Sequence, residues 1–314
     1  MTTFELPLPD LSNVRQGNTT TPGVWHFDSG VSGRTVLVTA LIHGNELCGA
    51  WALKEALEHG LRPRQGALTL AFCNLDAFDR FDADQHDASR FVEEDMNRVW
   101  MADRLDSGSN VERRRAQALR PWVEQADWVL DLHSMHEPSE PLCLTGVLPR
   151  NIALARRLAA PEYVIVDAGH KDGVRMRDFG RLGQDDPDAC ALLIECGFHG
   201  ALSSRDVARD MVGRMLVEAG TVQANDLPAG WLQPAPQAQR VLEVTDAIVA
   251  PSMNVRFAQP WQGLETLDQA GSIIGWADDE PIVTPYDRCT LVMPSLRQLK
   301  PGVTVVCLAR DYQG

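Results

Sequence analysis

The sequence lacks most features that mark membrane, secreted or nucleic-acid-binding proteins. No window is long and apolar enough to span a bilayer, and the first residues, MTTFELPLPDLSNVRQ, lack the basic segment and apolar run of a signal peptide. Lysine and arginine total 29 against 43 acidic residues, a net charge of −14, which disfavours binding to a phosphate backbone or an anionic membrane. We therefore expect a cytoplasmic protein that binds neither nucleic acid nor membrane.

Cysteine is scattered rather than clustered. The seven cysteines are odd in number, form no CxxC pair and lie mostly in apolar, strand-like segments. This pattern disfavours a disulfide framework and predicts free, buried thiols in a reducing compartment.

The first two thirds of the chain alternate between strand-like and helix-like patterns. Apolar runs rich in β-branched residues predict buried strands at 35–42, 67–74, 128–133, 163–168 and 190–196. Helical periodicity predicts helices at 45–60, 110–126, 149–160 and 204–220. The alternation predicts an α/β fold, with a mostly parallel sheet flanked by helices.

The remaining segments differ in character. Residues 75–109 lack periodicity and are rich in Asp, Arg and Ser, and an irregular stretch of this length in a compact domain is usually functional or disordered. Proline and alanine then become frequent around 226–240. We predict an α/β domain over 1–225, a linker over 226–240, and a small all-β domain over 241–314, where short strand patterns alternate with turn residues.

Four polar side chains stand at the carboxyl ends of predicted strands, where ligands collect in open α/β sheets. His43 and Glu46 follow the first strand, His133 ends the third, and Glu195 ends the fifth. Two imidazoles and a carboxylate, with a further carboxylate nearby, are what a catalytic zinc site needs: three protein ligands and a base outside them.

Each of these residues also has an ordinary interpretation. An HxxE pair often occurs by chance, a lone His133 is usually a hydrogen-bonded histidine at a sheet end, and a lone Glu195 is usually an ion-paired carboxylate. Buried carboxylates are costly, however, so two of them beside two histidines favour a metal site.

The irregular segment contains RFVEEDMNRVW, residues 90–100. The planar guanidinium groups of Arg90 and Arg98 suit a carboxylate, but ordinary ion pairs with neighbouring acidic residues explain them equally well from this segment alone.

Four motifs in order, HGNE (43–46), DMNR (95–98), DLHS (131–134) and IECG (194–197), resemble those of the succinylglutamate desuccinylase and aspartoacylase family, relatives of the zinc carboxypeptidases. The resemblance spans about residues 35–200, and the C-terminal strands also look like that family's small C-terminal domain. It implies a zinc carboxypeptidase-like fold with one Zn²⁺ per chain. Its ligands would be His43, Glu46 and His133.

The resemblance also implies roles for other residues. Glu195 matches the catalytic carboxylate, Arg90 the arginine that stabilises the oxyanion, and Asn97 with Arg98 the pair that holds the substrate carboxylate. Met96 and Trp100 depart from the Leu and Phe common in the family, which affects pocket shape more than mechanism. A further substrate arginine has three candidates, namely Arg175, Arg177 and Arg181.

The implied function is zinc-dependent hydrolysis of the amide bond in a small N-acyl amino acid of acetyl or succinyl type. The alternative is a zinc carboxypeptidase acting on short peptides; a β domain packed over the cleft would favour the former. A carrier role for the C-terminal strands is disfavoured, because the only lysine after residue 240, Lys300, lacks flanking methionines. The identities of the acyl group and the amino acid and any homo-oligomer stay open. His136, His170 and His199 lie near motif segments and could line the pocket, but the sequence favours ordinary loop histidines.

Overall fold

The strands of the computed structural model, which describes residues 4–169 and 173–314, form an 11-stranded sheet and a separate three-stranded sheet. The strands are β1 (Val24–Asp28), β2 (Thr35–Ala40), β3 (Ala67–Phe72), β4 (Trp128–Met135), β5 (Leu142–Leu144), β6 (Tyr163–Val166), β7 (Cys190–Phe198), β8 (Arg240–Val249), β9 (Val255–Phe257), β10 (Thr266–Leu267), β11 (Ile273–Ala277), β12 (Glu280–Val283), β13 (Cys289–Val292) and β14 (Thr304–Asp311). The helices are α1 (Leu47–His59), α2 (Leu75–Phe78), α3 (Ala102–Ser107), α4 (Val111–Gln125), α5 (Pro149–Leu158) and α6 (Leu202–Glu218).

The large sheet has the order β1-β3-β2-β4-β7-β5-β6-β8-β14-β13-β10. Its central strands β3, β2, β4 and β7 are parallel, as their continuous apolar sequences predict. Antiparallel pairs arise where β1 joins β3, where β5 joins β7, and among the C-terminal strands. The α/β prediction is therefore confirmed, and the sheet as a whole is mixed.

Two apolar layers sandwich the central strands, because alternate side chains of a strand point to opposite faces. On one face, Leu130 of β4 and Ile194 of β7 pack with residues of α1 and α6. On the other, Val129 of β4 and Ala191 of β7 pack with residues of α4.

Four of the C-terminal strands, β8, β14, β13 and β10, continue the large sheet. Between the short 3-10 turn Ala224–Asp226 and β8, the described chain has no helix or strand. β8 then pairs in parallel with β6, from Tyr163 opposite Arg240 to Val166 opposite Glu243. A shared apolar cluster joins Leu193 of β7 to Leu242, Val292 and Ala309 of the C-terminal strands. The division into two domains stays a prediction, since the sheet itself crosses the predicted linker.

Two further features bear on the sequence expectations. All seven cysteines lie within the described ranges and are free thiols, six of them buried. Among residues 4–169 and 173–314, no helix has both the length and the apolarity needed to cross a bilayer.

Candidate metal centre and catalytic site

His43, Glu46 and His133 come together at the carboxyl ends of β2 and β4. The two oxygens of Glu46 lie 2.7 Å from Nδ1 of His43 and 2.8 Å from Nδ1 of His133. All three residues are buried, and one ligand atom from each lies within 4.8 Å of the others. The structure thus brings the three predicted metal ligands together, and within the described chain they are the one such group of His, Cys, Asp and Glu side chains.

The turn after β2 presents His43 and Glu46 on one side because Gly44 lets two other segments approach. A Cβ at Gly44 would lie 2.4–2.5 Å from the backbone of Ala77, Phe78 and Ser89. The Gly44 N–H also donates to the carbonyl of Arg90 at 3.0 Å, which ties this turn to the irregular segment. Glu46 then occupies the N-cap position of α1, directly before its first residue, Leu47.

A separate carboxylate faces the outer nitrogen of each histidine. Nε2 of His133 lies 2.8 Å from Asp131, whose other oxygen accepts a hydrogen bond from Thr39 at 2.7 Å. Nε2 of His43 lies 2.9 Å from Asp95. Such contacts fix the ring orientation, and a proton on Nε2 would leave Nδ1 of each ring to bind a cation together with Glu46.

These contacts shift the ionisation of the group. Burial alone would raise the pKa of Glu46, but the charges of His43 and His133 hold that pKa well below its usual range. Burial would lower the pKa of His133, yet Asp131 and Glu46 raise it well above normal. The Glu46 carboxylate and the His133 imidazole thus favour each other's charged form.

Glu195 lies on β7 beside His133 on β4, since the two residues are register partners in adjacent parallel strands. Glu195 is 7% exposed, and its Oε2 has no hydrogen-bond partner among the described residues. Burial and the charge of Glu46 raise the pKa of Glu195 to about 8. A buried carboxyl group with an unshared oxygen beside a metal centre suits proton transfer.

Arg90 follows the 3-10 turn Ala83–Ser89 and reaches the same centre. Its guanidinium lies 3.1 Å from Asp95, 3.4 Å from Glu46 and 3.4 Å from Nε2 of His136. Asp95 therefore contacts both a predicted metal ligand and Arg90, one with each carboxylate oxygen. Burial would raise the pKa of Asp95, but the charges of His43 and Arg90 hold it well below its usual value.

Asn97 and Arg98 lie in the 3-10 turn Met96–Arg98, whose start Asp95 caps by accepting from the Asn97 N–H at 2.8 Å. Asn97 is buried, and its Oδ1 accepts from the backbone N–H of Met176 at 3.3 Å. Arg98 is half-buried and donates to the Asn97 carbonyl at 3.0 Å. Its charge contributes to lowering the pKa of Asp95, so the guanidinium is close to the centre.

The three candidate arginines before Glu195 lie in different places. Arg175 and Arg177 are buried and share Asp167, at 2.7 and 3.1 Å. The charge of Arg175 also contributes to lowering the pKa of Glu195. Arg181 pairs instead with Asp186 and with Asp127, the residue before β4, at the opposite end of the sheet. The geometry leaves Arg175 and Arg177 as candidates and separates Arg181 from the site.

A carboxylate that sequence reasoning missed anchors the irregular segment. Glu112, fully buried in the first turn of α4, accepts the backbone N–H groups of Val92 at 2.6 Å, Glu93 at 3.1 Å and Glu94 at 3.2 Å. Asn74 donates to the same carboxylate at 3.1 Å. Glu112 thus holds the backbone between Arg90 and Asp95. An acidic residue in a first helical turn is common, so nothing in the sequence marked it.

Two histidines expected to be ordinary loop residues lie behind Arg90. His136 Nδ1 contacts Asp87 at 2.9 Å, and His199 lies 3.3 Å from His136 and 2.7 Å from the Ser134 hydroxyl. Burial lowers the pKa of both His136 and His199. His136 and His199 therefore line the site region, whereas His170 lies outside the described residues.

The C-terminal strands reach this group through one turn, residues 295–299, named here the Arg297 turn. Arg297 pairs with Glu137 at 2.7 Å and with Asp87 at 3.3 Å, and the Gln298 amide lies 3.2 Å from Nε2 of His136. One wall of the site is therefore built from residues that are far apart in the sequence, on the one side Asp87, His136 and Glu137 and on the other the Arg297 turn.

Comparisons with known proteins agree with this geometry. The family model described as the succinylglutamate desuccinylase/aspartoacylase catalytic domain matches residues 32–217. A probable aspartoacylase of Parasynechococcus marenigrum (strain WH8102) is 30% identical over 171 residues, which span 52% of this chain and 52% of that protein. The chain thus matches about half the length of this curated relative.

Solved structures share the fold over most of the chain. A succinylglutamate desuccinylase/aspartoacylase from Rhodobacter sphaeroides superposes with a TM-score of 0.64 at 19% identity, covering 90% of this chain and 87% of that one. A succinylglutamate desuccinylase from Vibrio parahaemolyticus gives a TM-score of 0.68 at 16% identity, covering 93% and 87%. At these identities the likeness concerns the fold alone.

Proposed function

The chain belongs to the succinylglutamate desuccinylase/aspartoacylase family, whose members hydrolyse amide bonds, and from this premise we propose that it is a zinc-dependent amidohydrolase of small N-acyl amino acids, with an acyl group of acetyl or succinyl type. The observation that carries the proposal is the convergence of His43, Glu46 and His133 beside the unshared oxygen of Glu195. One Zn²⁺ per chain would be held by those three residues.

The residues present fit zinc. Two imidazole Nδ1 atoms and a carboxylate are a common ligand set of catalytic zinc sites, and three protein ligands leave a position open for a further ligand. Both histidines have the outer carboxylate contact that metal-bound histidines usually have. A cation would also offset the charges of Glu46, Asp95, Asp131 and Glu195, which lie together around this centre.

When bound, Zn²⁺ acidifies water and polarises a carbonyl oxygen. Glu195 would take a proton from the attacking water and deliver it to the leaving amine nitrogen. The pKa of Glu195, about 8 in the protein without metal, would be lowered by a nearby cation. A general base works best when its pKa lies near the working pH.

Arg90 would stabilise the negative charge that develops on the carbonyl oxygen, since its guanidinium borders Glu46 and is held by Asp95. Arg98 and Asn97 would hold the α-carboxylate of the amino acid, with Arg175 nearby as a further cation. These arginines would also give a negatively charged protein a local attraction for an acidic substrate.

The peptidase alternative is disfavoured by the Arg297 turn. The turn pairs with Asp87 and Glu137 at the wall behind Arg90, so the C-terminal strands border the site rather than lie apart from it. A wall at this place leaves less room for a polypeptide than for a small N-acyl amino acid, and it supports the prediction that the C-terminal strands lie over the cleft.

Metal content and hydrolysis of a substrate panel test the proposal together. Purified protein is expected to contain about one zinc per chain and to release free amino acid from acetyl or succinyl amino acids, with loss of activity on chelation and recovery on zinc addition. Short peptides serve as the comparison substrates. Protein that binds no zinc, or that cleaves peptides faster than every N-acyl amino acid, would refute it.

A further inference from the structure

Arg90 is connected to the C-terminal strands by a chain of polar contacts that passes through His136. Arg297 lies 3.3 Å from one oxygen of Asp87. The other oxygen of Asp87 lies 2.9 Å from His136 Nδ1. His136 Nε2 in turn lies 3.4 Å from the guanidinium of Arg90. Each step joins groups of complementary hydrogen-bonding character.

This series of contacts determines which nitrogen of His136 carries the proton. A guanidinium has only donors, so the nitrogen that faces Arg90 must accept and carries no proton. The proton of a neutral imidazole then sits on Nδ1, where Asp87 accepts it. The Gln298 side chain also meets Nε2, at 3.2 Å, with its amide nitrogen as donor. His136 is thereby held as the Nδ1–H tautomer, with its one acceptor nitrogen facing Arg90 and Gln298.

Arg90 needs such a partner because its other contacts are all carboxylates. Asp95 and Glu46 draw the guanidinium toward the metal ligands by charge. A neutral acceptor on another side limits rotation of the guanidinium without adding negative charge next to the place where an oxyanion would form. Fixed donors stabilise a transition state better than mobile ones, since they need no reorganisation during the reaction.

We propose that His136 is a positioning residue that orients Arg90 through its Nε2 atom, and that Asp87 and Arg297 maintain the required tautomer from the C-terminal side. The inference rests on the proposed function of Arg90. It gives the C-terminal strands a part in the rate of the reaction, in addition to any effect on substrate size.

Substitutions at His136 separate this role from simple packing. His136→Gln can place an acceptor near the position of Nε2, His136→Asn places its amide near Nδ1 but no acceptor near Nε2, and His136→Phe retains the ring without either nitrogen. We expect kcat to fall about tenfold to a hundredfold in the Phe and Asn variants and by less than about fivefold in the Gln variant. KM is expected to change less than about threefold in all three, with zinc content unchanged. A packing role would instead favour Phe over Gln.

The contact between Arg297 and Asp87 is tested in the same assay. Arg297→Ala is expected to lower kcat about twofold to fivefold, because Asp87 loses one of its partners. The matched control is Arg310→Ala, which removes an exposed arginine of β14 paired with Glu243 at 3.4 Å. It is expected to leave kcat and KM at wild-type values.

Arginine side-chain NMR gives a readout that needs no substrate. The Arg90 guanidinium signal, identified by its absence in Arg90→Lys, is expected to show slowed rotation in the wild type and in His136→Gln, and faster rotation in His136→Phe. Unchanged rotation and kcat in His136→Phe would overturn the inference. A wild type that hydrolyses no N-acyl amino acid would refute the proposed function, while the NMR comparison would still decide whether His136 holds Arg90.

Discussion

Replacing Glu112 with alanine should destabilise the protein and loosen the segment that carries Arg90 and Asp95. The change removes the acceptor of three backbone N–H groups and of the Asn74 side chain. Hydrogen bonds to a charged group contribute about 1.5–3 kcal/mol each when buried. Val92 and Glu94 are half-buried and Glu93 is exposed, so their N–H groups regain water in part. We therefore expect a total loss of about 2–4 kcal/mol in the free energy of unfolding.

Urea unfolding at fixed zinc concentration measures this loss, and hydrogen exchange at the amides of residues 92–94 locates it. Glu112→Gln keeps one carbonyl acceptor but turns an NH₂ group toward backbone donors, so we expect an intermediate loss. Glu124→Ala, on the same helix, removes a side chain that is 47% exposed and paired with Arg120, and is expected to cost less than about 0.5 kcal/mol. A Glu112→Ala protein as stable as Glu124→Ala, with normal exchange at 92–94, would refute the anchoring role.

Four further predictions concern the centre itself. Glu195→Gln is expected to keep one zinc per chain but to lose about two to four orders of magnitude in kcat, and near-normal turnover would remove Glu195 as the base. In metal-free protein the pKa of Glu195 rises from 4.5 unfolded to about 8 folded, so the folded state keeps a proton that the unfolded state releases, and stability should fall by up to about 1.4 kcal/mol per pH unit between these values. Urea unfolding of metal-free wild type and Glu195→Gln at several pH values tests this, and parallel pH dependences would contradict it. Asp131→Asn, which weakens the support of His133, should reduce zinc affinity about tenfold to a hundredfold in competition with a chelator, whereas unchanged affinity would show that the contact is dispensable. Arg98→Ala should raise KM for substrates with a free α-carboxylate more than for their ester analogues, and equal losses would show that Arg98 does not bind that group.

The convergence of the candidate metal ligands could be predicted from sequence because strand ends fix the place of the residues that follow them. His43, Glu46, His133 and Glu195 each stand at the end of an apolar run, and parallel strands bring such ends to one edge of a sheet. The structure places all four there. The roles assigned to Glu195, Arg90, Asn97 and Arg98 remain predictions, although their side chains lie around the same centre.

The supporting residues could not be predicted, because their partners are distant along the chain. Glu112 meets residues 92–94 only after α4 packs against the irregular segment. Asp87 and Arg297 are 210 residues apart and look like ordinary surface charges in the sequence. No local pattern encodes such pairs, since each depends on how separate elements pack.

Sheet organisation was predictable only in its central part. Continuous apolar runs indicated the parallel strands β2, β3, β4 and β7, but a strand pattern does not identify the neighbour that a strand will choose. The pairing of β8 with β6 across the predicted linker illustrates this, because the proline-rich segment before β8 is typical of a boundary whether or not the sheet continues beyond it.

The continuous sheet that contains both β2 and β14 has a consequence for substrate entry and product release. A cover attached by a flexible tether can swing, and its opening can limit the turnover rate. Here the Arg297 turn follows strands that are hydrogen-bonded into the same sheet as His133 and Glu195. A wall tied into the sheet in this way is expected to keep its place during turnover, so neither substrate entry nor product release would wait for it to move.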